Sequence, residues 1–69
     1  MEEGHLGDAE RLAAYDAFAE DVRAELAATK ERMAELAAAG KVKTATYRQL
    51  FATRVTLKDI VRRLEERGL

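Results

Sequence analysis

The sequence predicts an all-α fold of two antiparallel helices, a helical hairpin that dimerises as a four-helix bundle, and three observations carry the expectation. First, Leu12, Tyr15, Ala19, Val22, Leu26, Thr29, Met33 and Leu36 alternate at spacings of three and four residues. That is the a and d pattern of a coiled coil, which winds one apolar seam down a helix that must be covered by another helix. Second, the chain has no proline, four glycines and only four aromatic residues, while fourteen of its thirty-three apolar residues are alanine. Alanine favours helix strongly and buries little area, so local preference points away from sheet and the core is expected to be thin. Third, Gly40 divides the chain into a longer and a shorter helix-favouring stretch.

Sixty-nine residues make a single domain, 1–69, with residues 1–7 read as a flexible lead. A chain of this length buries only about 60% of its unfolded surface, so small domains usually rely on a staple. The absence of cysteine and the presence of one histidine leave neither a disulfide nor an ordinary zinc site. The expected staple is a second chain.

The first helix is expected over residues 8–39. Asp8 follows Gly7 and reads as its N-cap, and Gly40 reads as its stop because a residue at C′ commonly adopts positive φ. Residues 41–45 then form a polar connection of the length that joins antiparallel helices. The second helix is expected over 46–67, with Thr46 and Gln49 at capping-box spacing. Leu50, Leu57 and Leu64 repeat along it, flanked by Tyr47, Ile60 and Val61, and Gly68 closes it with Leu69 left to pack back or fray.

Thr53-Arg54-Val55-Thr56 is a candidate kink, because it is β-branched and Thr56 with Asp59 offers a second capping start. On a continuous helix Arg54 falls inside the apolar arc, while Phe51 and Val55 fall off its edge. Two readings follow. Arg54 snorkels to reach an acid on the first helix, or it is a polar specifier at an interface in which Phe51 is a second contact surface.

Net charge is −1, yet residues 1–40 hold ten acids against four bases and residues 41–69 hold eight bases against three acids. Either the acidic helix lies against the basic one and the charges help set register, or Lys41, Lys43, Arg48, Arg54, Lys58, Arg62 and Arg63 form a surface for phosphate or an acidic partner. Nucleic acid is the weaker partner class, because the acidic half would repel a duplex unless it faced away. The i,i+4 spacing of Asp59 with Arg63 and of Arg62 with Glu66 marks an ordinary solvated helix face.

Catalytic chemistry finds no foothold. His5 stands alone in the lead segment, the chain has no serine or cysteine, and Glu31 with Glu35 lacks the Glu-x-x-His companion of a di-metal bundle site. We therefore expect no catalytic, metal or cofactor residues. The alanines of the first helix, among them Ala13, Ala17, Ala24 and Ala28, satisfy helix propensity or let a neighbouring helix approach closely. The opening residues show no basic run leading into an apolar stretch, and no run approaches the ~18 residues of a spanning helix, so a cytoplasmic, non-membrane protein is expected.

Residues 46–69, TYRQLFATRVTLKDIVRRLEERGL, resemble the helix, turn and recognition helix of winged helix-turn-helix regulators. The turn lacks the usual small residue and glycine, and no wing strands follow. That resemblance implies a small DNA-associated regulator. Residues 40–69, with Gly40-Lys41-Val42-Lys43-Thr44 leading into Tyr47-Arg48-Gln49-Leu50, also resemble small uncharacterised helical proteins of Gram-positive bacteria, which implies no activity and no site.

The primary expectation is a non-enzymatic interaction or assembly module, whose partner is another copy or another helical protein. Its seam comprises Leu12, Tyr15, Phe18, Val22, Leu26, Met33 and Leu36 from the first helix and Leu50, Phe51, Leu57, Ile60, Val61 and Leu64 from the second. The alternative is the regulator using its basic half. Because the first helix outreaches the second, a second chain is expected at Leu12, Tyr15 and Phe18.

Overall fold

The computed structural model describes residues 7–69 and consists of two helices, α1 (Asp8–Ala38) and α2 (Ala45–Glu66), packed against each other as a hairpin. The readings of residues 1–6, including the flexible lead and His5, lie outside the described residues. The helices have 31 and 22 residues, which at 1.5 Å rise gives roughly 46 and 33 Å. That mismatch dominates the molecule.

Helix α1 is capped by Gly7 rather than by Asp8. Gly7 has the extended backbone of a cap (φ −68°, ψ 169°), and its N–H donates to Glu10 Oε1 at 2.9 Å. Asp8 is already helical, where its carboxylate still complements the positive end of the helix dipole. At the other end Gly40 has φ +73°, Lys41 N–H donates to Leu36 O at 2.8 Å, and Gly40 N–H donates to Ala37 O at 3.0 Å. These two bonds are a Schellman closure, and glycine takes the left-handed position without a Cβ penalty.

The second cap also moves. Thr44, two residues before the expected Thr46, opens α2: its Oγ1 accepts from Tyr47 N–H at 3.2 Å and donates to Lys41 O at 2.8 Å. One hydroxyl thus starts the helix and ties down the connection, leaving Thr46 inside the first turn. Gly68 (φ +82°) repeats the Schellman closure, with Leu69 N–H donating to Leu64 O at 2.9 Å, and Leu69 packs back half-buried instead of fraying.

Helix α2 runs unbroken through Thr53-Arg54-Val55-Thr56, so the candidate kink does not form. No glycine or proline lies there to force a break, and Thr53 and Leu57 face inward against α1. The same continuity removes the turn that a helix-turn-helix requires.

The core is a ladder. Ala19, Val22, Thr29, Met33 and Leu36 are buried on α1, with Leu26 half-buried among them, and Leu57 and Leu64 are buried on α2. Ala19, Val22, Leu57 and Leu64 form one cluster, covered by Leu26, Ile60, Val61 and Leu69. Thr29 pays no polar penalty, since its Oγ1 donates to Glu25 O at 2.8 Å.

Two predictions follow, both read by urea denaturation with helical circular dichroism. Thr44→Ala should lower stability by about 1 kcal/mol, whereas Thr46→Ala should leave it nearly unchanged. Leu57→Ala should cost about 2–4 kcal/mol, against less than about 1 kcal/mol for Phe51→Ala on the outer face.

Candidate interaction surface

The contact between Leu64 and the Ala19–Val22 level of α1 fixes where the shorter helix ends. Everything on α1 before that level has no helix beside it. Leu12, Tyr15 and Phe18 are accordingly 58%, 53% and 50% exposed, although Leu12 and Tyr15 continue the spacing that buries Ala19, Val22 and Met33. Arg11, Ala14, Tyr15 and Phe18 line an open depression of about 300 Å³ there.

The expected seam therefore divides. Val22, Met33, Leu36, Leu57 and Leu64 are buried, and Leu26, Leu50, Ile60 and Val61 are half-buried within the hairpin. Leu12, Tyr15 and Phe18 remain on the surface. Phe51 and Val55 are exposed too, one turn apart on the outer side of α2, and Val42 in the connection is the sixth large exposed apolar residue among those described. Sequence reasoning passed over Val42, because a lone valine between two lysines carries no periodicity.

Arg54 does not reach an acid on α1. Its guanidinium carbon sits 4.9 Å from the centre of the Phe51 ring, a cation–π contact within its own helix worth about 0.5–1 kcal/mol at an exposed site. Phe51, three residues before it on the same helix, is within reach whatever the register of the hairpin.

The same preference for local partners governs the other charges. Among the described residues every ion pair is intrahelical: Arg32 with Glu35 at 3.1 Å, Arg62 with Asp59 at 2.6 Å and with Glu66 at 2.7 Å, and Arg63 with Asp59 at 3.1 Å. No acid of α1 pairs with a base of α2 among them, so charge does not set the register of the hairpin. A second open depression, about 290 Å³, shows why on one flank: Glu25 there lies beside Gln49, Ala52, Thr53 and Thr56, which carry no charge.

The basic candidates consequently differ in availability. Arg62 is held between Asp59 and Glu66, and Arg54 lies on Phe51, whereas Lys41, Lys43, Arg48 and Lys58 are exposed and take part in no ion pair among the described residues. The hydrogen bonds from Arg62 and then Arg63 hold the Asp59 carboxyl below its ordinary value of 3.8, and Asp59 in turn raises the Arg62 guanidinium.

Among the described residues no three His, Cys, Asp or Glu side chains gather to hold a metal, and no helix is long and apolar enough to cross a membrane. Comparison of the chain with protein-family models, curated proteins and solved structures gives no match.

Because the folded carboxylate of Asp59 is depressed, the contribution of its arginine contacts is present above its ordinary value and is lost as pH falls through the lowered one. A carboxyl NMR titration should place the Asp59 midpoint below 3.8. Arg62→Gln should move that midpoint upward.

Proposed function

We propose that this protein is a non-enzymatic, cytoplasmic interaction module that acts by offering the uncovered end of its α1 seam to another chain. The observation that carries the reading is the exposure of Leu12, Tyr15 and Phe18 on the same helix whose following turns are buried. Burying one such side chain contributes roughly 1.5–3 kcal/mol, a large share of what a chain this short can hold. The covering chain is either another copy, two hairpins then forming a four-helix bundle, or another helical protein.

The regulator reading has less support. The basic residues of α2 could meet phosphate, but α2 is one helix without the turn that would present a separate recognition helix.

The module reading is tested in native extract, where the chain should elute in size-exclusion chromatography well above its own 7.7 kDa. Replacing Leu12, Tyr15 and Phe18 together by serine should return it to monomer size while leaving the melting transition of the purified hairpin in place. Elution of the unmodified chain as a free monomer in extract, with the purified chain also monomeric up to about 100 µM, would refute the reading.

A further inference from the structure

The six large apolar residues exposed among those described fall into two groups of opposite charge. Leu12, Tyr15 and Phe18 lie in residues 8–21, which hold five acids and one base, a net −4. Val42, Phe51 and Val55 lie in residues 41–58, which hold five bases and no acid, a net +5. All five of those acids are exposed and paired with no described base, and Lys41, Lys43, Arg48 and Lys58 are exposed and paired with no described acid. The antiparallel hairpin sets the groups apart, the acidic one at the free end of α1 and the basic one from the connection to the middle of α2.

We infer that the partner of the uncovered seam is a second copy of this chain, docked head to tail: Phe51 and Val55 of one hairpin seat on Leu12, Tyr15 and Phe18 of the next. This inference rests on the module reading above and names its partner. Contact between like ends would bring −4 to −4 or +5 to +5, whereas contact between unlike ends brings each apolar group under charges that complement it.

Geometry fixes the direction. Fifteen residues of α2 follow Phe51 before the helix ends at Glu66, a length of roughly 22 Å. If the second α2 lay on the overhang antiparallel to the first copy's α2, that length would run into the first copy's own α2, which already occupies the seam from Leu64 onward. Laid in the same direction, the second α2 places its first turns on the overhang and the remainder runs clear. Each copy then offers one end of each kind, so the contact is heterologous and repeats. With two large apolar side chains on one side and three on the other the contact is small, and association is weak and salt-sensitive.

Analytical ultracentrifugation of the purified chain tests this. The mean mass should rise past the dimer as concentration approaches about 100 µM, and raising salt from about 0.05 to about 0.5 M should weaken association roughly tenfold. Tyr15→Ser with Phe18→Ser blocks the acidic end, and Phe51→Ser with Val55→Ser blocks the basic end. Each double variant alone should be monomeric, and an equimolar mixture should give a dimer and nothing larger. Should a double variant lose its helical signal, Asp16→Lys with Glu20→Lys replaces it at the acidic end and Arg48→Glu with Lys58→Glu at the basic end, with the same results expected. Dimers formed by either variant alone would show a like-to-like contact and overturn the inference, as would a mixture that stays monomeric. A purified wild-type chain that is monomeric throughout overturns the inference as well, while the extract measurement separately decides whether another protein covers the seam.

Discussion

The packing of Leu57 and Leu64 against Ala19 and Val22 is the contact on which the rest of the molecule depends. It sets the register of two helices that differ by nine residues in length, 31 against 22. Once Leu64 lies at the Ala19–Val22 level, the turns carrying Leu12 and Tyr15 have nothing to pack on. Their exposure follows from register and helix length together, since their own spacing along α1 is that of the buried positions. The same contact draws Leu69 back over the end of the cluster, held by the Schellman bond to Leu64.

Electrostatics plays a different part from the one its distribution along the chain suggests. An acidic helix beside a basic one could be joined by ion pairs across the seam, but neighbours three and four residues apart on one helix are already within reach and need no interhelical register. Asp59 with Arg62 and Arg63, and Glu66 with Arg62, take that local solution. The acids near the free end of α1 and the bases near the connection are left facing solvent. Hydrophobic packing therefore holds the hairpin, and the unpaired charge becomes a property of its surfaces, where it influences which partners approach and in what orientation.

The helices, their count and their approximate limits were legible because the signals that set them are local. The three-four spacing from Ala19 to Leu36 gave the buried face of α1, the leucine repeat gave that of α2, and Gly40 and Gly68 marked the two stops. The caps are not set by the side chain alone. Asp8 and Thr46 both have suitable side chains, but the cap belongs to the residue whose backbone is still extended, and that is Gly7 in one case and Thr44 in the other. Thr44 prevailed because its hydroxyl also reaches Lys41 O, a bond that exists only once the connection has closed. The β-branched run at 53–56 suggests a break, yet the burial of Leu57 beside it keeps the helix whole, as packing commonly overrides a weak propensity.

The sequence by itself determined that two helices form, that each has one apolar face, and that charge is divided between the halves of the chain. All of these rest on periodicity, propensity and composition, which are carried by neighbours along the chain. Only the tertiary structure decided which part of the α1 seam is covered, that Arg54 lies on Phe51, and that the described acids of α1 and bases of α2 stay unpaired with each other. Those outcomes depend on the relative register of two helices and on competition between near and far partners. Neither quantity exists until the chain has folded back on itself.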